Sequence, residues 1–204
     1  MSIDQSSLYD YVEILKRTVP ETLDLLTAQN DEQFETAFDA LLQKAVERLE
    51  ENKADFQSLD ENGLSSALAM SLEMPGLQVL REAHSNGHVD ITIIVSHCVR
   101  TRKKLGEAKI YDGPEYHIKG LGQLLGRYTT GRESRGLLIA YVKKKNIAGL
   151  IKKIRQEMDV TLPLSQQGNT INHTLKWSFL STHAHSCGEN LEVSHIGCNL
   201  YTQD

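Results

Sequence analysis

The chain has 204 residues, a length that suits one domain, or one domain with a helical extension. Hydrophobic residues make up 40% of the chain and charged residues 24%, which excludes a disordered or collagen-like protein. No apolar run approaches the roughly 18–20 residues of a membrane span, and the acidic N-terminus lacks the basic start of a secretory signal. The three cysteines are too few for a disulfide scaffold. We therefore expect a soluble, cytoplasmic protein without a membrane partner.

The net charge of −5 conceals an uneven distribution of charge along the chain. Residues 1–96 hold 6 Lys and Arg against 18 Asp and Glu, whereas residues 97–155 hold 15 against 4. A basic segment inside an acidic protein is typical of a local site for a polyanion such as nucleic acid. The alternative is that the basic middle only neutralises the acidic N-terminal helices.

Residues 1–56 are predicted to form a helical extension. Apolar residues recur at helical spacing from Leu8 to Leu15, and Pro20 either ends this helix or begins the next one. From a cap at Asn30, a longer helix is expected to run to about residue 52. Its apolar stripe consists of Phe34, Phe38, Leu41, Leu42, Ala45, Val46 and Leu49. The stripe must be buried, either against the domain that follows or against another subunit.

Residues 57–204 are predicted to form a mixed α/β domain that ends in a β-hairpin. Ser58 and Glu61 have the spacing of a capping box, which predicts a helix from there to about residue 74. Two strands follow, joined by a turn at Asn86-Gly87. The later elements are expected, in chain order, as a strand at 104–111, a helix at 116–130, an apolar strand at 136–142, a helix at 146–157 and a hairpin at 171–201. The core order is α-β-β-β-α-β-α, with the apolar strand in the middle of a covered sheet.

Two neighbouring predicted strands carry a group of charged residues. Side chains two apart on a strand share a face, so Glu107 and Lys109 project together. Asp90 stands at the start of the neighbouring strand, where a hairpin brings its carboxylate beside Glu107. These carboxylates, with the backbone carbonyl of Ile91 or Ala108, form an all-oxygen site suited to Mg²⁺ or Mn²⁺. The alternative is an exposed cross-strand ion pair, which contributes little to stability.

This pattern resembles the PD-(D/E)xK nuclease superfamily. The resemblance covers about residues 58–156, with Asp90 as the motif aspartate and Glu107-Ala108-Lys109 as the E-x-K. His88-Val89 precede the aspartate where the name-giving pattern has a proline. The resemblance implies a restriction-endonuclease-like mixed β-sheet flanked by helices, with a helical extension before it and a β-hairpin after it. It also implies that the aspartate and the glutamate hold the metal and that the lysine stabilises charge.

The resemblance adds two residues to the candidate site. Glu61 lies in the helix before the first strand, where many such nucleases place an additional acidic residue. Helix capping is the alternative role for Glu61, because Ser58-x-x-Glu61 is a capping box. Gln123 corresponds to the glutamine of a Q-x-x-x-Y motif in one subgroup, although Tyr128 here follows it by five positions.

Phosphate contacts are expected from two groups of basic residues. The first lies in the predicted loop entering the catalytic strand and consists of Arg100, Arg102, Lys103 and Lys104. The second follows the catalytic strand, where Lys119, Gln123 and Arg127 form one polar stripe at a spacing of four. In both cases a solvated surface is the alternative.

The C-terminal segment raises the question of zinc, because it contains His183, His185, Cys187, His195 and Cys198. Four residues along a strand separate His183 from Cys187 by roughly 13 Å, too far for one shared zinc. Across the hairpin, His195 and Cys198 cannot both share the face of His183 in a regular ladder. The sequence therefore does not favour a zinc site.

The sequence thus predicts a divalent-metal-dependent endonuclease that hydrolyses DNA phosphodiester bonds, in bacterial defence or DNA processing. Because double-strand cutting needs two active sites, we expect a homodimer or a complex with a partner protein that involves the N-terminal helices. The alternative is a catalytically silent DNA-binding or assembly subunit that keeps the nuclease fold.

Overall fold

The computed structural model describes residues 5–74, 76–84, 88–96 and 101–203, which form six α-helices and seven strands. The helices are α1 (Gln5–Thr18), α2 (Pro20–Thr27), α3 (Asp31–Glu51), α4 (Glu61–Leu72), α5 (Pro114–Gln123) and α6 (Ile147–Thr161). A π-helical turn, Leu124–Tyr128, continues α5. The strands are β1 (Leu77–His84), β2 (His88–Val95), β3 (Arg102–Ile110), β4 (Arg135–Val142), β5 (Ile171–Asn172), β6 (Ser178–Ala184) and β7 (Asn190–Asn199).

The strands form one mixed sheet in the order β1-β2-β3-β4-β7-β6-β5. Its central strand, β4, runs parallel to both neighbours, whereas every other pairing is antiparallel. All residues of β4 after Arg135 are buried, as expected for a strand that is covered on both faces. The predicted α/β class and the central position of this strand are therefore confirmed.

Helices cover both faces of the sheet. Because successive side chains of a strand point to opposite faces, the sheet contributes to two separate cores. One core lies under α3 and α4 and includes Phe38 and Leu68. The other lies under α5 and α6 and includes Leu121 and Ile154.

The apolar stripe of α3 is buried within the chain. Phe34, Phe38, Leu42 and Leu49 are each at most 1% exposed and belong to the core that α3 shares with the sheet. The domain that follows therefore covers the stripe, and the stripe gives no reason for a second subunit. The homodimer or partner complex stays a prediction.

Two helix starts can be compared with their predicted caps. Asn30 caps α3 as expected, since its side chain accepts a hydrogen bond of 2.9 Å from Gln33 N. The cap of α4 is Asp60, whose side chain accepts a hydrogen bond of 2.8 Å from Gly63 N. The predicted capping box at Ser58 is therefore wrong. As a result, the carboxylate of Glu61 is not needed to cap its own helix.

The strand boundaries are close to the predicted ones. β6 and β7 pair antiparallel as the C-terminal hairpin. β1 and β2 pair antiparallel up to His84 opposite His88, and the predicted Asn86-Gly87 turn lies outside the described residues. β3 begins at Arg102 rather than at residue 104, which moves part of the predicted basic loop into the sheet. No helix within the described ranges is long and apolar enough to span a bilayer.

Candidate active site

Asp90 and Glu107 lie where strands β2 and β3 part. Among the described residues, the ladder between these strands ends at the pair Ile91–Gly106, one residue short of Asp90 and Glu107. The Ala108 N–H, instead of joining the ladder, donates a hydrogen bond of 3.0 Å to Asp90 Oδ2. The backbone of β3 therefore holds the Asp90 carboxylate at the end of the ladder, next to the position of Glu107.

Lys109 joins the carboxylate of Glu107 to helix α4. Its ammonium lies 2.6 Å from Glu107 Oε1 and 3.0 Å from Glu61 Oε1. The second carboxylate oxygen of Glu61 accepts a hydrogen bond of 3.0 Å from the Ile110 N–H. Both carboxylate oxygens of Glu61 thus bind residues of β3. Glu61 could not make these contacts if its side chain capped its own helix.

Burial shifts the protonation equilibria of this cluster. Glu107 is 1% exposed, so the pair with Lys109 is not the exposed ion pair considered above. Burial raises the pKa of Glu107 to about 7, and the charge of Asp90 adds to this effect while Lys109 opposes it. Burial also raises the pKa of Asp90, against the hydrogen bond from Ala108 N–H. Burial tends to lower the pKa of Lys109, but its contacts with Glu107 and Glu61 outweigh burial and raise it.

The oxygen atoms of the cluster fit a hard divalent cation. Glu107 Oε2 is buried and has no hydrogen-bond partner among the described residues. The Asp90 carboxylate lies beside it, and two adjacent carboxylates favour a bound cation. Mg²⁺ is commonly held by one or two carboxylates, with waters completing its shell. The described part of the chain has no group of three or more His, Cys, Asp or Glu side chains placed to bind a metal together.

A backbone carbonyl is the remaining predicted ligand. Ile91 lies inside the sheet and is paired on both sides, with Arg81 and with Gly106. Ala108 lies beyond the end of the β2–β3 ladder, and its N–H already binds Asp90. We therefore favour Ala108 over Ile91 as the source of this carbonyl.

Helix α5 packs closely on Lys109 through a glycine that the sequence analysis did not single out. A Cβ atom at Gly120 would lie 3.0 Å from Lys109 Cγ and 3.3 Å from Leu138 Cδ1. Any larger residue at position 120 would therefore press on the side chain of Lys109. The sequence signal was a glycine inside a helix that directly follows β3.

The π-helical turn changes the relation between Gln123 and Tyr128. Thr129 N donates a hydrogen bond of 3.1 Å to Leu124 O, five residues back. In an α-helix, residues five apart point roughly 140° away from each other, but a wider π-turn restores nearly one face. Tyr128 is 4% exposed. Burial raises its pKa, and the charges of Glu107 and Asp90 add to this effect.

Two of the predicted phosphate-binding residues instead bind other parts of the protein. Lys104 is 1% exposed and its ammonium lies 2.6 Å from Glu35 Oε2. Arg102 binds Asp31 at 3.1 Å and the carbonyl of Ala28 at 3.3 Å. The reason is that β3 begins earlier than predicted, so both side chains point from one face of the strand toward α3. The prediction that Lys104 and Arg102 contact phosphate is therefore corrected.

The other basic residues are placed differently. Lys119 and Arg127 are exposed. Lys103 alternates with Lys104 along β3 and so shares the strand face of Glu107. Gln123 is half-buried and makes no hydrogen bond to the charged cluster within the described ranges. Arg100 lies outside the described residues.

The tail histidines take part in a buried chain of hydrogen bonds. His117 Nε2 lies 2.8 Å from His195 Nδ1, and Ser181 Oγ lies 2.7 Å from His195 Nε2 and 2.8 Å from His183 Nε2. The chain ends at His183 Nδ1, 3.1 Å from the carbonyl of Leu164. Because that carbonyl only accepts, His183 Nδ1 donates to it. Ser181 Oγ then donates to His183 Nε2, His195 Nε2 donates to Ser181 Oγ, and His117 Nε2 donates to His195 Nδ1. Burial lowers the pKa of His117 to about 3, so the chain is neutral at physiological pH.

Comparison with protein-family models, with curated proteins and with solved structures finds no match to this chain. The interpretation of the cluster therefore depends on its geometry and on its chemistry.

Proposed function

We propose that the protein is a divalent-metal-dependent nuclease that hydrolyses DNA phosphodiester bonds, with a PD-(D/E)xK-type site on a restriction-endonuclease-like sheet. The observation that carries the proposal is the meeting of four charged side chains from three elements at one point. They are Glu61, Asp90, Glu107 and Lys109. Placing carboxylates in a buried site costs stability, and perturbed pKa values are concentrated at functional sites.

The residues have separate proposed roles. Asp90, Glu107 and the Ala108 carbonyl are the ligands for Mg²⁺ or Mn²⁺. When bound, the cation polarises the phosphate and lowers the pKa of a bound water. Lys109 supplies a fixed positive charge next to Glu107, where negative charge develops during attack on phosphorus. Glu61 holds the Lys109 ammonium in place and keeps it protonated.

The basic residues that follow β3 or share the strand face of Glu107 are the proposed phosphate contacts. Lys119 and Arg127 lie on the helical segment after β3, and Lys103 lies on the strand face of Glu107. Such contacts position the nucleic acid without reading its sequence. We place this activity in the cytoplasm, in defence against foreign DNA or in DNA processing.

A cleavage assay tests the proposal. Supercoiled, linear, single-stranded DNA and RNA are incubated with the purified protein in Mg²⁺, Mn²⁺ or EDTA. We expect DNA cleavage with either metal, none with EDTA, and none by Asp90→Ala or Glu107→Ala. Lys109→Ala should lower the rate by about 10²–10³-fold. Glu115→Ala, an exposed carboxylate on α5, is the matched control and should cut at the wild-type rate.

Mn²⁺ titration by calorimetry separates the nuclease from the silent subunit. We expect the wild type to bind Mn²⁺, and Asp90→Ala and Glu107→Ala to lose that binding while remaining folded. A folded wild type that binds DNA but neither binds Mn²⁺ nor cuts any substrate would contradict the proposal in favour of the silent subunit.

A further inference from the structure

Helix α1 presents large apolar side chains to solvent. Leu8, Tyr11 and Ile14 are 56%, 59% and 56% exposed on a helix of 14 residues. The helix packs against α2, and Val12 and Leu15 are its more enclosed apolar residues. Single exposed apolar side chains are common, but several together on one helix indicate a binding surface.

The exposed residues follow the spacing of a helix–helix seam. Tyr11, Ile14 and Thr18 are three and four residues apart, so they lie along one stripe. All three are exposed. The stripe is therefore not the surface that α1 uses against α2.

The two edges of the stripe differ in chemistry. One edge carries Leu8 and Leu15, and the other carries Asp10 and Arg17. The members of each pair are seven residues apart, about two turns, so they project in nearly the same direction. Neither Asp10 nor Arg17 forms a salt bridge in the ranges that the structure describes, although the charge of Arg17 acts on Glu13, one turn earlier.

These edges specify the orientation of a partner helix. In a parallel pair of identical helices, each edge faces the opposite edge of the other copy, so charges would face leucines. In an antiparallel pair, each edge faces the same edge of the other copy. Asp10 then faces Arg17 of the second copy, Leu8 faces Leu15 of the second copy, and the two-fold axis repeats both contacts. We propose that α1 binds antiparallel to α1 of a second copy of this chain.

The charge of α1 favours this partner over a membrane surface. Its acidic residues, Asp10 and Glu13, balance its basic residues, Lys16 and Arg17. A helix that lies on a membrane is instead rich in basic residues on its polar face. One short helix from each subunit buries less than the roughly 1,200 Å² of a stable complex, so we expect a dissociation constant on the order of 1–100 μM.

Sedimentation velocity on the full chain tests the proposal, from about 1 to 200 μM, in EDTA and without DNA. These conditions make the result independent of the proposed nuclease activity. We expect a concentration-dependent monomer–dimer equilibrium in the wild type. Ile14→Glu should abolish it, because it places a carboxylate in the seam. Met70→Glu is the matched control, since Met70 is 76% exposed on α4 and lies outside the seam.

Charge reversal tests the antiparallel orientation. Asp10→Arg alone faces Arg17 of the second copy with a like charge, and Arg17→Asp alone faces Asp10 in the same way. Each should weaken the dimer about tenfold, because the Asp10–Arg17 contact and its symmetry copy both change from attraction to repulsion. The double variant, and an equal mixture of the two single variants, should both restore association.

Three results would overturn the proposal. The first is a wild type that stays monomeric at 200 μM. The second is a dimer that responds equally to Ile14→Glu and Met70→Glu, and the third is a double charge reversal that fails to restore association. Circular dichroism on each variant checks that it remains folded.

Discussion

Glu61, the first residue of α4, binds the ammonium of Lys109 at 3.0 Å across 48 residues of sequence. The neighbouring residue, Asp60, caps the helix instead. Two adjacent acidic residues therefore have different tasks: one begins the helix and the other reaches the strand that carries the candidate catalytic lysine.

Glu61→Gln should change the cleavage rate, whereas Asp60→Ala should change the stability. The glutamine keeps an acceptor for the Ile110 N–H but loses the charge that holds Lys109, so we expect the cleavage rate to fall about 10–100-fold. Asp60→Ala removes only the cap and should lower the free energy of unfolding by about 0.5–2 kcal/mol at an unchanged rate. Cleavage rates and urea unfolding of both variants measure this. An unchanged rate in folded Glu61→Gln protein would contradict the role of Glu61.

The salt dependence of DNA binding should respond to substitution of the exposed basic residues but not of the buried ones. Lys119→Ala and Arg127→Ala should each reduce the slope of log affinity against log salt by about 0.9 on duplex DNA. Lys104→Met should leave the slope unchanged and lower the free energy of unfolding by about 3–5 kcal/mol, because it leaves Glu35 buried without its lysine. A slope that responds to Lys104→Met but not to Arg127→Ala would reverse the assignment.

Glu107→Gln should stabilise the metal-free protein above neutral pH. The pKa of Glu107 rises on folding from 4.5 to about 7, so the native state binds the proton more tightly. The free energy of unfolding of the wild type therefore falls as pH rises from 4.5 to 7, by up to about 3 kcal/mol. Glu107→Gln lacks this loss of stability. The excess of its free energy of unfolding over that of the wild type should therefore grow over that interval and vanish below pH 4.5. Urea unfolding in EDTA measures it, with Glu115→Gln as the exposed control.

The buried histidines should destabilise the protein in acid. Burial lowers the pKa of His117 to about 3, and it also lowers the pKa values of His183 and His195. In the unfolded chain these side chains take up protons near pH 6.5. The unfolded state thus binds more protons below that pH, and stability falls by about 1.4 kcal/mol per pH unit for each histidine. His117→Phe should remove one such contribution between pH 6 and 4.5, which urea unfolding measures. An unchanged pH slope would show that His117 titrates normally.

Short-range pattern was enough to predict the strands and three of the four residues of the cluster. The period of two places Glu107 and Lys109 on one face of β3, and the antiparallel pairing of β2 and β3 places Asp90 next to them. Both relations depend on residues close in sequence or joined by one hairpin. The α/β class followed from the same patterns.

Relations between distant segments were not readable in this way. Whether Ser58 or Asp60 caps α4 depends on where the chain turns into the helix, and this choice decided what Glu61 contacts. Lys104 looked like part of a basic loop because its partner, Glu35, lies 69 residues earlier. The π-turn that ends at Tyr128 has no signature in residue spacing, since it adds one residue to a helical turn.

The buried ion pairs of α3 also set an order of events during synthesis. Glu35 binds Lys104 and, 99 residues after itself, Ser134, so α3 leaves the ribosome long before the strands that cover it. At about 5–20 residues per second, its apolar stripe waits roughly 5–20 s for β4. We expect nascent chains stalled before β4 to bind a chaperone through α3 and to be cut there by protease, and chains stalled after β7 to resist. Equal protease sensitivity of the two nascent chains would show that α3 finds cover earlier. The last strands of the sheet, rather than the first helices, thus determine when this protein becomes safe from aggregation.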